Sequence, residues 1–199
     1  MNLCENTVNN NTAYYINVVK NKIIYSGNIS IQGCHELNCK LRELESSYTT
    51  ETKPVANEFY TVKPVPIELY ITSNGGVVYS ALSVVSTIKT LSIPVHTYIS
   101  GYAASAATLI SVVGAKRYIQ PYSTAMIHEL RANFWGKYNE LQDMRINIDN
   151  LMNSIIDIYV KHTKLDETYL REHLKRDVDW SIEECVKYGI VDEVVKVNE

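Results

Sequence analysis

The sequence predicts an α/β protein with largely parallel strands. Two observations carry this expectation. From Ile67 onward, short β-branched runs alternate with segments of helical period, and Gly- or Pro-containing turns separate many of them. The composition, 46% hydrophobic and 21% charged, also places the chain among ordinary globular proteins and excludes collagenous or wholly disordered classes.

The elements follow in order. Residues 1–12 hold Asn2, Asn6, Asn9, Asn10 and Asn11, a polar tract that buries little and is expected to be mobile. Residues 13–19 and 22–26 read as short strands. Cys34, Leu37, Leu41 and Leu44 share one face of a first amphipathic helix over 34–44. Residues 46–66 are polar, contain Pro54, Pro64 and Pro66, and read as a long inserted loop. Next come a strand at 67–72, a turn at 73–76, and a helix at 77–91 whose inward face is Val77, Ala81, Val84, Val85, Ile88 and Leu91. A strand at 95–99, a turn at Gly101 and a helix at 103–113 precede two short strands, 117–119 and 124–127.

A long helix spans 138–163, with Leu141, Met144, Ile148, Leu151, Met152, Ile155 and Tyr159 on one side, and a shorter one spans 166–175. Ser181 with Glu184 forms a capping box for a last helix, Gly189 ends it, and a strand follows at 190–195. Residues 13–199 read as a single domain.

Charge and cysteine usage narrow the function. The 199 residues carry 19 Lys plus Arg against 22 Asp plus Glu, a net charge of −3, so no global field draws nucleic acid or anionic lipid. The first 18 residues lack the basic start and apolar core of a secretory signal, which points to the cytoplasm. Cys4, Cys34, Cys39 and Cys185 are scattered and read as free thiols. On a helix Cys34 and Cys39 lie about 140° apart, which argues against a metal site with His35. Residues 90–115 hold no charged side chain, but Pro94, Gly101 and four serines divide them into strand, turn and buried helix, so no membrane span is expected.

Two strand-to-helix turns stand out as places where unpaired backbone N–H groups gather. The first is Ser73-Asn74-Gly75-Gly76, which also reads as a simple tight turn. The second is Gly101-Tyr102-Ala103-Ala104-Ser105, where small neighbours leave the hydroxyl open to a substrate carbonyl, or form a close-packing face. Neither matches a phosphate-binding loop. A serine needs a base, and His128 at the end of an apolar strand is the candidate. His35, His162 and His173 read as surface residues, and His96 lies within a strand. A carboxylate to orient the imidazole is available at Asp177 or Asp179.

Taken together, these motifs resemble the ClpP family, the proteolytic subunit of the Clp protease. The resemblance rests on Ser73-Asn74-Gly75-Gly76, Gly101 to Ser105, Met126-Ile127-His128, Lys175-Arg176-Asp177 and Glu184 to Asp192, in that order. It implies a ClpP/crotonase-like spiral of βαβ units with a protruding handle over 129–163. It implies Ser105 as nucleophile, His128 as general base and Asp177 rather than Asp179 as orienting acid. The oxyanion hole would be the backbone N–H groups of Gly76 and Ala106. An extended substrate would lie along Gly75, Val77 and Val78 on one side and Glu129, Leu130 and Arg131 on the other.

The implied activity is that of a serine endopeptidase acting on unfolded polypeptides, without metal or organic cofactor. The implied assembly is a homo-oligomer of heptameric rings stacked to a tetradecamer, fed by an ATP-dependent AAA+ unfoldase. Two other readings are a catalytically silent ring subunit and a crotonase-type acyl-CoA enzyme.

The sequence departs from the family pattern in four places. Asn74 stands where the family has Pro, and Glu129 stands where an uncharged residue is usual and a carboxylate competes for the histidine proton. The 46–66 segment is long, and the N-terminal tract lacks the family's axial-loop pattern.

Overall fold

The computed structural model describes residues 14–49 and 65–197. The Asn-rich tract and residues 50–64 of the expected insertion lie outside the described residues.

A hairpin of β1 (Tyr14–Val19) and β2 (Lys22–Gly27) turns through Lys20 and Asn21, Lys20 taking φ 55°. Helix α1 (Ile31–Thr49) follows, so residues 46–49, expected in the loop, form its last turn. The apolar period stops at Leu44, but a helix continues beyond it wherever the residues are helix-compatible. Strand β3 (Ile67–Ser73) runs parallel to β2 and buries every second residue, Ile67, Leu69, Ile71 and Ser73. Each buried aliphatic residue stabilises by about 1.5–3 kcal/mol, and a one-residue slip would replace them with Glu68 and Tyr70, which fixes the register.

Helix α2 (Val78–Thr90) packs Ala81, Val84 and Ile88 into the same core as Cys34, Leu37 and Leu41 of α1. Strand β4 (Val95–Ala104) leads to α3 (Ala106–Val112), all seven residues of which are buried. Thr97 of β4 donates to the Ser111 carbonyl of α3 at 2.6 Å, tying strand to helix.

Strand β4 corrects two expectations. Gly101 is not the strand-to-helix turn, and the helix begins at Ala106 rather than at residue 103. The strand pairs along its first half with β5 (Lys116–Ile119) and along its second half with β6 (Thr124–Met126). Between the halves the register with β3 jumps from Ile71↔Ile99 to Ser73↔Ala103, a bulge in which Gly101 takes φ 76°. The bulge re-aims the strand end, so its last residues carry a new pairing instead of stopping.

The remaining elements are α4 (Tyr138–His162), α5 (Glu167–His173), β7 (Asp179–Trp180), α6 (Ile182–Lys187) and β8 (Glu193–Val194). Among the described strands the sheet order is β1-β2-β3-β4-β5-β8, with β6 beside β4 and β7 antiparallel to β6. The last strand is only two residues long, shorter than the 190–195 expected.

Helix α4 buries Ile155, Ile156 and Tyr159 near its C-terminal end, and residues 131–143 are exposed, so its N-terminal part projects from the core. The Tyr159 hydroxyl lies 2.6 Å from that of Thr108, anchoring α4 on α3. The expected capping box forms on α6: Ser181 accepts from the Glu184 N–H at 3.3 Å, and Glu184 accepts from the Ser181 N–H at 2.9 Å. His162 and His173, expected at the surface, are partly buried; His173 accepts the Trp180 indole N–H.

Arg117 closes the C-terminal end. Its guanidinium donates to the Gly189 carbonyl at 2.8 Å, to the His162 carbonyl and to the Asp192 carboxylate. Burial alone would raise the Asp192 pKa, but the Arg117 bonds outweigh it and hold it below the ordinary carboxylate value. This contribution is present above the unfolded pKa of about 3.9 and is lost as pH falls through the folded value. Arg117→Ala is therefore expected to cost about 2 kcal/mol in urea denaturation at pH 7, with the gap to wild type narrowing below pH 4. A gap of equal size at both pH values would assign the loss to the carbonyl bonds alone.

Candidate active site

Ser105 is the single residue between β4 and α3, and the turn is made in its own backbone, at φ 55° and ψ −127°. Such a conformation costs about 1–3 kcal/mol in a residue other than glycine, so its surroundings must hold it. Its N–H donates to the Met126 carbonyl of β6 at 2.8 Å, and its carbonyl accepts from the Thr108 N–H at 3.0 Å and the Thr108 hydroxyl at 2.6 Å. Ala103, Ala104, Ala106 and Ala107 are all buried around it. Larger side chains at these positions would have to displace the sheet or α3.

The glycine turn closes over this elbow. A Cβ on Gly75 would lie 2.6 Å from Ser105 Cβ, 2.8 Å from the Ala104 carbonyl oxygen and 3.2 Å from the Ala106 nitrogen. A Cβ on Gly76 would lie 2.2 Å from the Ile29 carbonyl oxygen. Both glycines have positive φ, 95° and 149°. The Gly75 carbonyl accepts from the Ile29 N–H and the Ile29 carbonyl accepts from the Val77 N–H, each at 2.8 Å. The Gly76 N–H lies outside that bridge, and the Ala106 N–H is the first of α3, where no intrahelical acceptor precedes it. Gly76 and Ala106 both line the cavity that holds Ser105. Asn74 is exposed, and both glycines are kept without the proline.

His128 follows β6, on a segment fixed where the Glu129 N–H donates to the Leu174 carbonyl at 2.8 Å. Its side chain is 11% exposed and lines the same cavity as Ser105. Its Nδ1 is buried without a hydrogen-bond partner among the described residues, and Asp177 Oδ1 stands 3.7 Å away, beyond hydrogen-bond length. The other oxygen of Asp177 is bound by the Arg131 guanidinium. Asp179 lies elsewhere, accepting the Tyr102 hydroxyl at 3.1 Å, so Asp177 is the carboxylate that faces His128. Burial first, and this bond second, push the Tyr102 pKa up to about 12, which keeps the hydroxyl protonated as donor.

The cavity measures about 230 Å³ and continues inward between Val78, Leu109, Leu130, Ile155 and Tyr159. An adjoining groove of about 370 Å³ runs past Val77, Tyr79, Phe134 and Ile148. Of the expected substrate-binding residues, Val78, Glu129, Leu130 and Arg131 border the cavity and Val77 borders the groove. Gly75 is buried behind Ser105.

Sequence reasoning missed Ile29, Leu109 and the Thr108–Tyr159 bond. The helical period had placed Tyr159 on the inward side of α4 without showing what it meets. Cys34 and Cys185 are buried, which pushes their thiols up to about 11 and about 12, and Cys39 is exposed on another side of α1. Among the described residues no group of three His, Cys, Asp or Glu side chains is placed to hold a metal ion.

An α/β sheet with a serine at a strained strand-to-helix turn, and a histidine sharing its cavity, defines a class of candidate serine hydrolases. Residues 60–198 match the family model "Clp protease", and the chain belongs to that family. It is also similar to the ATP-dependent Clp protease proteolytic subunit of Deinococcus radiodurans, with 35% identity over 131 residues. The match covers 65% of this chain and 64% of that one, so the chain spans just under two thirds of the relative.

The strain at Ser105 has a measurable consequence. Ser105→Gly is expected to raise unfolding stability by about 1 kcal/mol in urea denaturation, whereas Ser105→Ala is expected to leave it nearly unchanged. Equal stabilities of wild type and Ser105→Gly would show that the backbone is not strained there.

Proposed function

We propose that this chain is a serine peptidase that hydrolyses peptide bonds through an acyl-enzyme formed on Ser105. The observation that carries the reading is the shared cavity of Ser105 and His128, with Asp177 Oδ1 standing 3.7 Å from the His128 Nδ1. Ser105 Oγ attacks the scissile carbonyl while His128 takes its proton. The Gly76 and Ala106 N–H groups receive the negative charge that develops on the carbonyl oxygen. The protonated imidazole then gives its proton to the leaving amine, and His128 next activates a water that releases the acid product. Asp177 stabilises the imidazolium and fixes its tautomer once its carboxylate closes to hydrogen-bond distance. No step calls for a metal or an organic cofactor.

The apolar walls of the cavity suit an uncharged side chain next to the cleaved bond. The segments after Gly76 and after His128 would bind the substrate backbone in extended form. The relative's description as the proteolytic subunit of an ATP-dependent protease supports feeding by an ATP-driven unfoldase, and the same reading places the chain in seven-membered rings stacked in pairs around a chamber in the cytoplasm. The projecting segment supports stacking, since Trp135 is 96% and Tyr138 75% exposed in the single chain. Family membership disfavours an acyl-CoA enzyme, and the presence of Ser105, His128 and Asp177 together argues against a silent subunit.

Cleavage of a fluorogenic peptide tests the reading. Ser105→Ala and His128→Ala are each expected to lower kcat/KM by about a thousandfold or more, and Asp177→Ala to lower it far more than Asp179→Ala. Cleavage that survives Ser105→Ala overturns the reading, and the reverse order of the two aspartates overturns the choice of acid. Light scattering is expected to give a particle of many subunits, and a monomer under all conditions would remove the chamber.

A further inference from the structure

The carboxylate of Asp177 has two claimants. One is the buried Nδ1 of His128, which has no hydrogen-bond partner among the described residues, and the other is the guanidinium of Arg131, which is in contact. Arg131 is 71% and Asp177 50% exposed, whereas the imidazole is 11% exposed. The arginine therefore holds the carboxylate on the solvent side of the site, at 3.7 Å from the nitrogen that the proposed mechanism needs it to reach.

Arg131 sits on the irregular segment after β6, which has no regular secondary structure to fix it. An ion pair this exposed is weak and screened by salt. A bond from Nδ1 to a carboxylate would satisfy a buried polar atom. The two arrangements are thus close in free energy, and a modest change at Arg131 shifts the balance between them.

We propose that Arg131 is a positioning residue that holds Asp177 off His128, so that the catalytic series is complete only in the molecules where the guanidinium has let go. The inference rests on the peptidase reading. Release of Asp177 leaves Ser105 and its buried surroundings in place, so its effect falls on the rate of the chemical step.

Turnover of a fluorogenic peptide by the full chain in its native assembly tests this. Arg131→Leu and Arg131→Gln are each expected to raise kcat about two- to fivefold, read at saturating peptide because Arg131 also borders the cavity, and Arg131→Lys to stay nearer wild type. Added salt is expected to raise wild-type kcat and to leave that of Arg131→Leu flat. In an Asp177→Ala background, Arg131→Leu is expected to give no gain in kcat. If Arg131→Leu leaves kcat unchanged or lowers it, or if its gain persists without Asp177, the proposal fails while turnover that depends on Ser105 keeps the peptidase reading intact. Turnover that survives Ser105→Ala, or none from any variant, overturns both.

Discussion

The contact on which the site depends is the one between Gly75 and Ser105. A serine forced to φ 55° needs a wall that prevents relaxation, and that wall is a backbone stretch close enough to exclude any Cβ at Gly75. The same approach sets the Gly76 and Ala106 N–H groups at one cavity, and Ile29 pins the glycine stretch from behind. The positions of Ser105, Gly76, Ala106 and the cavity wall are thus consequences of one packing constraint, supported by the bulge in β4 that carries the strand past its first partner.

The polar half of the site is held differently. Ser105 is locked by the sheet, by α3 and by buried alanines, whereas Asp177 lies in a half-exposed irregular segment and is held by side-chain charge. Rigidity is concentrated around Ser105, and adjustability at Asp177, whose carboxylate has about 1 Å to travel to reach hydrogen-bond length from His128. On the proposed mechanism the position of Asp177 responds to ionic surroundings, while Ser105, Gly76 and Ala106 stay fixed by packing.

Much of this was legible in the sequence where the signal is local. The capping box at Ser181 and Glu184, the inward faces of α1 and, apart from the exposed Val77 that precedes it, of α2, and the buried alternation of β3 were readable because period and cap residues report burial directly. The motif order pointed to Ser105 and His128. Glycine at 101 misled, because glycine serves a bulge as readily as a turn and only the change of partner from β5 to β6 tells them apart. Ile29 gave no signal, being one apolar residue before a helix. The Arg131–Asp177 pair was hidden because its members come from distant segments and each alone reads as a surface charge.

The central claim is that Ser105 is an activated nucleophile and not a packed turn residue. Reaction of the native assembly with an organofluorophosphonate, followed by peptide mass mapping, tests it most directly. The account predicts one adduct per chain, carried on the peptide containing Ser105. An adduct on another serine, or no adduct on an intact assembly, would contradict it.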